Sequence, residues 1–176
     1  MLNIPHPQTK IYYHLHHMDI LKEFSFPFIA KLPRSSAQGR GVFKVNDKDT
    51  LEKYLQLTRV AYIQEYLPHE KDLRVILIDH EPILAYWRIP PPDNFKTNIF
   101  QGGSLSFENI PDETVQMAEN FSEKCKFNDV GLDLIQHNKK WYLIEANMKY
   151  GRKGLRMKRI DLKEIMRQKL ISGDLL

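Results

Sequence analysis

Apolar positions along this chain follow two rhythms, and the breaks between them mark the elements. From Ile11 to Phe24 the positions Ile11, Leu15, Met18, Leu21 and Phe24 fall three or four apart, which predicts an amphipathic helix. Phe26 to Leu32 is a short apolar run carrying Lys31 near its end and predicts a strand. Gly39 to Gly41 punctuates it, and Val42 to Val45 predicts the returning strand. Asp49-Thr50-Leu51-Glu52 has capping-box spacing, with Asp49 as N-cap of a helix through Leu55. Val60 to Glu65 predicts a strand. Leu73 to Asp79 and Ile83 to Ile89 predict a hairpin turning at Asp79-His80-Glu81-Pro82. Pro90-Pro91-Pro92 breaks regular structure, and Asn98 to Gly103 is a glycine-ended loop. A helix is predicted from Pro111 to Cys125 with Val115, Ala118, Phe121 and Cys125 inward. A last hairpin pairs Val130 to His137 with Trp141 to Asn147 across Asn138-Lys139-Lys140, and a helix follows over Ile160 to Leu170. There is no internal repeat. Hairpins with helices in uneven order predict an α+β fold with antiparallel sheets, not a doubly wound parallel one.

Composition adds boundaries to this picture. A length of 176 residues suits one domain or two small lobes, and 42% hydrophobic with 27% charged residues excludes disordered and collagen-like classes. No apolar run reaches the length of a membrane span, and Met1 to Lys10 lacks the pattern of a signal peptide. The single cysteine, Cys125, cannot form an internal disulfide and falls on the inner helix face as a core residue. A reducing, cytoplasmic setting is expected. His14, His16 and His17 lack the third partner that a metal set requires. The net charge is +4, with the basic excess late, in Lys149, Arg152, Lys153, Arg156, Lys158 and Arg159. That stretch reads as a solvated helix face. Without interleaved aromatics it argues against nucleic acid, whereas an acidic peptide suits it.

Candidate chemistry gathers at four places. In the last hairpin a three-residue turn pairs His137 with Trp141 and therefore Asp133 with Glu145, and alternation puts Asn147 on the same face. Opposed carboxylates repel, and a hard divalent cation such as magnesium relieves them; read alone, the hairpin is also an ordinary solvent-facing one. Second, Lys31 precedes Ser35-Ser36-Ala37-Gln38-Gly39-Arg40-Gly41-Val42, where backbone N–H groups can approach phosphate oxygens. It is neither a Walker A loop nor a Rossmann fingerprint, and an ordinary hairpin turn is the alternative. Third, Gln64-Glu65-Tyr66-Leu67 is a strand end whose backbone can meet an adenine edge, with Asp72-Leu73-Arg74 following. Fourth, Arg88 with Asn98 and Gly102-Gly103 suits phosphate or carboxylate, unless Arg88 pairs with Asp93.

In order and spacing, Lys31, the Gly39/Gly41 loop, Gln64 to Leu67, Asp72-Leu73-Arg74, Arg88, Asn98 to Gly103, Gly131-Leu132-Asp133 and Glu145-Ala146-Asn147 resemble the ATP-grasp ligases. The resemblance, over roughly Pro27 to Gly154, is to the RimK-like carboxylate–amine ligases, which include ribosomal-protein glutamate ligases and the amino-group-carrier ligases of lysine biosynthesis. It implies two small α+β lobes, residues 1–66 with the phosphate loop 35–42 and residues 67–176 with the metal hairpin 130–147, with ATP and magnesium or manganese between them. It further implies Lys31, Gln38, Gly39, Arg40, Gly41 and Val42 at the phosphates, Gln64, Glu65, Tyr66 and Leu67 at adenine, and Asp72 on the ribose side. Asp133, Glu145 and Asn147 would hold the metal, and Arg88 and Asn98 would face the reacting phosphate. The implied reaction forms an acyl-phosphate from a carboxylate and captures it with an amine. The implied substrate is an amino acid or an acidic peptide or protein, with no membrane or nucleic-acid partner. The family's preceding α/β domain has no counterpart in the sequence, so a further domain or partner chain is expected, and Lys10 is the candidate for an upstream ATP-contacting lysine. Gln101 stands where arginine is frequent. A domain that binds nucleotide without catalysis and a small-molecule kinase on the same fold are the alternatives.

Overall fold

The computed structural model describes residues 4–34, 41–91 and 103–173 and has the expected α+β character, with antiparallel sheets. The chain divides into two compact units, His6–Pro68 and Met1–Pro5 with His69–Leu176. Among the described residues no helix is long and apolar enough to cross a membrane.

In the unit His6–Pro68, strands β1 (Thr9–Tyr13), β2 (Phe28–Lys31), β3 (Val42–Val45) and β4 (Val60–Glu65) form a sheet in the order β1-β4-β2-β3. Alternation sends Tyr12, Phe28, Ala30, Val45, Ala61 and Ile63 to one face. They bury there with Ile20 of α1 (Ile20–Glu23) and with Leu51 and Tyr54 of α2 (Lys48–Leu55). The opposite face carries Ile29, Lys31, Val42, Lys44, Tyr62 and Gln64.

Two expectations fail here. The helix expected over Ile11 to Phe24 is instead the end of β1, a 3-10 helix (His14–Asp19) and the single turn α1. Ile11, Met18 and Leu21, assigned to a buried helical face by their spacing, are 52%, 87% and 40% exposed, while Tyr12 between them is buried. The aromatic and β-branched run Thr9 to Tyr13 finds a partner in β4, and that pairing overrides the helical period. Asp47, not Asp49, caps α2: it is extended, and its carboxylate accepts from Thr50 N–H at 2.8 Å. Asp49 lies in the first turn, where its charge favours the helix end.

In the other unit β5 (Asp72–Ile78), β6 (Glu81–Ile89), β7 (Ser104–Ser106), β8 (Asp129–His137) and β9 (Lys140–Asn147) form a sheet in the order β7-β6-β5-β8-β9. Every residue of central β5 is buried. On one face Leu73, Val75, Leu77, Trp87, Leu132 and Leu134 pack against Ala118 of α3 (Asp112–Cys125), and the rings of Trp87 and Trp141 stack 6.0 Å apart. On the other, Ile76, Ile78 and Tyr86 pack with Leu155 of α4 (Lys153–Met157) and Leu162 of α5 (Leu162–Ser172). Each fully buried aliphatic side chain contributes roughly 1.5–3 kcal/mol. The basic stretch after Lys149 is therefore anchored by a short helix that periodicity did not reveal.

The hairpins β5–β6 and β8–β9 turn on two residues each, Asp79-His80 and Asn138-Lys139, all four with φ between 48° and 63°. This is the mirror-image turn that matches strand twist. His137 consequently pairs with Lys140, not with Trp141 as expected. A register shift between Asp133 and Leu134 then sets Leu134 opposite Leu143 but Asp133 opposite Glu145, so Ile144 is the extra residue of a bulge.

Candidate functional site

The face of the five-stranded sheet that carries Ile76 and Ile78 continues along β5 as Arg74 and Asp72. Buried charges demand partners, and the registers supply them: Asp72 is opposite Arg88, Arg74 is opposite Asp133, and Asp133 is opposite Glu145. The row runs across four strands. Arg74 donates to Asp133 through Nε to Oδ1 at 2.7 Å and Nη2 to Oδ2 at 2.6 Å. Arg88 donates to Asp72 through Nε at 2.5 Å and Nη2 at 2.7 Å, and Nη2 also reaches Asp133 Oδ2 at 2.7 Å. Asp72 and Asp133 are each 1% exposed. Burial opposes ionisation of Asp133, but the charges of Arg74 and Arg88 and their hydrogen bonds win, holding its carboxyl below the ordinary range. Burial works against both guanidiniums too, and the facing carboxylates raise them despite it. The surface partner expected for Arg88, Asp93, lies outside the described residues; its partners are Asp72 and Asp133.

Glu145 and Asn147 stand at the edge of this row, Glu145 exposed and Asn147 half-buried. Asn147 Nδ2 donates to Glu145 Oε1 at 3.3 Å, and Asn147 Oδ1 accepts Lys149 N–H at 2.7 Å. Among the described residues no group of three His, Cys, Asp or Glu side chains is placed to hold a metal ion; the expected set has two carboxylates and an amide. Its donors are hard oxygens, the kind magnesium takes. Three carboxylates (Asp72, Asp133, Glu145) against two guanidiniums (Arg74, Arg88) leave one net negative charge. The residues therefore fit a divalent cation that brings further negative ligands, such as phosphate oxygens, better than one held by protein alone.

In the unit His6–Pro68, Lys31, Val42 and Gln64 share the sheet face away from the core. Lys31 Nζ lies 5.4 Å from the Tyr62 ring centroid. Tyr54, 1% exposed, fixes this strand end: its hydroxyl donates to Lys31 O at 2.7 Å and accepts Tyr62 N–H at 3.1 Å. Burial pushes its phenol up to about 12. Gly41, at φ +78°, accepts Leu32 N–H at 2.8 Å and closes the β2–β3 hairpin; a side chain there would be strained. Gln64 is buried, its Nε2 donating to Thr9 Oγ1 at 3.0 Å. Glu65 is exposed, yet its N–H donates to Gln8 O at 2.8 Å and its carboxylate accepts Gln8 N–H at 3.1 Å. Tyr66 is half-buried beneath Lys44, 4.0 Å from its ring centroid, and Leu67 is buried. Lys10 donates to Glu23 at 2.5 Å. Gln38, Gly39, Arg40, Asn98, Gln101 and Gly102 lie outside the described residues. Arg74 and Tyr54 were not expected as site residues. Arg74 was visible two positions after Asp72, but only the β5–β8 register reveals its partner.

The RimK-like ATP-grasp domain family matches residues 3–170. The chain is 31% identical over 157 residues to the coenzyme gamma-F420-2:alpha-L-glutamate ligase of Methanococcus maripaludis, covering 85% of this chain and 54% of that enzyme. The chain thus spans about half the length of that relative. In fold it is similar to the D-alanine–D-alanine ligase of Bacillus anthracis, with a TM-score of 0.71 at 16% identity over 98% of this chain and 62% of that one. It is also similar to the ATP-grasp ligase PsnB complexed with a minimal precursor, Mg and ADP, with a TM-score of 0.70 at 17% identity over 98% of this chain and 54% of that one. The chain belongs to the RimK-like ATP-grasp family.

Proposed function

We propose that this chain is the nucleotide-handling part of an ATP-dependent ligase that joins a carboxylate to an amine through an acyl-phosphate, in a cytoplasmic setting. The observation that carries the reading is the row Arg88, Asp72, Arg74, Asp133 and Glu145 across four paired strands, in a chain of this family. Glu145, Asn147 and Asp133 are the residues for magnesium or manganese, which would offset charge on transferring phosphate. Lys31 and the turn of Gln38, Gly39, Arg40, Gly41 and Val42 are assigned to the phosphates, and Gln64, Glu65, Tyr66 and Leu67 to the base. Because the N–H of Glu65 is taken by Gln8, the base contacts fall to its neighbours. Arg88 uses Nε and Nη2 on carboxylates, so Nη1 is the group for the reacting phosphate, with Asn98. Asp72 is buried against Arg88; we assign it to positioning that arginine, not to ribose. The substrates are an amino acid and an acidic peptide or protein, with a further domain or a partner chain completing the enzyme.

Calorimetry with a non-hydrolysable ATP analogue tests this. Binding is expected in the micromolar range, about −8 kcal/mol, only with magnesium present, and is lost in Asp133→Ala/Glu145→Ala. Magnesium alone should give no heat of binding, because the row supplies a single net negative charge. A folded protein that ignores the analogue would overturn the reading. Nucleotide binding without amide formation from amino acids and acidic peptides would leave the second reading, a binding domain without catalysis. The engagement of both Asp133 oxygens by arginine is the observation that favours it.

A further inference from the structure

Strand β1 stands at one edge of its sheet, so one side of its backbone has no strand beside it. The hydrogen bonds fix which residues face that side. Glu65 N–H donates to Gln8 O at 2.8 Å, and the register beyond it runs from Thr9 opposite Gln64 to Tyr13 opposite Val60. Bonded and non-bonded positions alternate along an antiparallel pair. Counting on from Gln8, Lys10 and Tyr12 bond to β4, whereas Thr9, Ile11 and Tyr13 turn their backbone groups outward. Tyr62, opposite Ile11, agrees: its N–H points toward β2, onto the Tyr54 hydroxyl that bridges to Lys31 O. The Tyr13 carbonyl is taken, because Tyr13 caps the 3-10 helix and its C=O accepts the first helical bond. The open groups are the N–H and C=O of Thr9 and Ile11 and the N–H of Tyr13. Sheets blunt an edge with a proline, a bulge, a charge or a cover. On β9 the cover is Pro5, whose carbonyl accepts Leu143 N–H at 2.9 Å. The five residues of β1 pair without a shift and contain no proline. Its one charge, Lys10, is neutralised by Glu23 at 2.5 Å. The side chains beside the open groups are apolar and exposed, Ile11 by 52% and Tyr13 by 66%.

We infer that β1 is the contact between two copies of this chain, paired antiparallel about a two-fold axis at Ile11 so that their sheets join. The occupant is a second copy because the strand is complementary to itself. Only outward-facing residues exchange bonds, so Thr9, Ile11 and Tyr13 must meet one another. With Ile11 opposite Ile11, Thr9 meets Tyr13, Lys10 meets Tyr12, and all five residues are used. A shift that sets Thr9 opposite Ile11 opposes the two Lys10 side chains, and like charges directly opposite are destabilising. A shift that sets Ile11 opposite Tyr13 pairs only three residues. In the two-fold register Ile11 N–H donates to the partner's Ile11 O and Tyr13 N–H to the partner's Thr9 O, and symmetry repeats both. Ile11 against Ile11 and Tyr13 beside Thr9 are β-branched and aromatic pairs of the kind that favours sheets. Charge matches as well. Burial and then the neighbouring Glu23 carboxylate push the Tyr12 phenol up, so Glu23 stands beside that ring. Lys10, arriving opposite the partner's Tyr12, meets a second carboxylate there. The seam holds two ammoniums and two carboxylates.

Sedimentation equilibrium of the full chain, without nucleotide, tests this. A dimer of twice 20.8 kDa should grow in with a dissociation constant on the order of tens of micromolar, as a small interface implies. Ile11→Lys, at a half-exposed position, opposes two ammoniums at the axis and should weaken the dimer about tenfold. Met18→Lys adds the same charge at an apolar position 87% exposed and outside the strand, and should leave the dimer intact. Equal loss in both would reduce the association to general surface charge and overturn the proposal. Cysteine pairs read the register. Under a mild thiol oxidant Ile11→Cys should cross-link beyond the level that Cys125 gives in the unaltered chain, since bonded opposite residues stand about 5.5 Å apart at Cα, within disulfide reach. Tyr13→Cys alone should not, because the two copies of residue 13 lie about 13 Å apart along the strands; mixed with Thr9→Cys it should. Circular dichroism verifies that each variant folds. A chain still monomeric at about 100 μM, a dimer untouched by Ile11→Lys, or cross-linking of Tyr13→Cys as ready as that of Ile11→Cys would each overturn the proposal.

Discussion

Asp133 receives three hydrogen bonds from two guanidiniums in a place 1% open to solvent, so neutralising it strands buried positive charge. Asp133→Asn keeps the shape and removes the charge, and should destabilise the fold by about 3–5 kcal/mol, read as a lower urea midpoint. Acid should act through the same residue. Its folded pKa is depressed, so the stability it confers is complete above the unfolded carboxylate value of about 3.9 and drains away as pH falls through the lower folded value. Asp133→Asn should therefore flatten the stability profile below about pH 4; an unchanged profile would show that other carboxylates govern acid unfolding. Tyr54 makes a quieter case. Tyr54→Phe leaves Lys31 O and Tyr62 N–H without their hydroxyl partner, and should lower stability by about 1–3 kcal/mol while weakening ATP-analogue binding through the displaced end of β2.

The bulge at Ile144 decides which face of β9 carries chemistry. Continued from His137 opposite Lys140 without a shift, the register would put Glu145 opposite Leu132 on the apolar face. One extra residue moves Glu145 opposite Asp133, since side chains alternate with a period of two. Deleting Ile144 closes the bulge while leaving Leu143 opposite Leu134 and Glu145 opposite Asp133, so magnesium-dependent nucleotide binding should survive it; loss of binding in a folded deletion variant would show that the bulge itself, and not only the face it selects, shapes the site. The same hairpin shows what local sequence can carry. A three-residue turn predicted the correct Asp133–Glu145 pairing, whereas the molecule reaches it by a two-residue turn plus a bulge, and the two errors in register cancel. Strands bounded by turn residues, β4 to β6, β8 and β9, were legible because alternation and breakers are local. So was α3, where Ala118 and Phe121 point inward as expected, with Thr114 and Ser122 completing the buried face. The stretch from Ile11 to Phe24 was not, since its spacing fits a helix and its strand partner β4 lies some fifty residues on. The pairing of β5 with β8 spans a comparable gap; without it Arg74 has no visible role and Asp133 no visible arginine partner.

At the scale of the molecule the chain is two units with unlike contents. Among the described residues the unit His6–Pro68 holds one hydrophobic cluster on one side of its sheet, and the other unit holds a cluster on each side. Positive charge is concentrated in the eleven residues Lys149 to Arg159 of the second unit, against a net −2 for everything else. Aromatic residues are divided unevenly as well. Both tryptophans of the sequence, Trp87 and Trp141, lie in the second unit with their rings stacked 6.0 Å apart. Indole emission and the near-ultraviolet dichroism of the pair are thus silent about residues 6–68, while the amide signal in the far ultraviolet sums over the whole chain. Optical melting curves at the two wavelengths need no label to tell whether the halves of this protein come apart together or in turn.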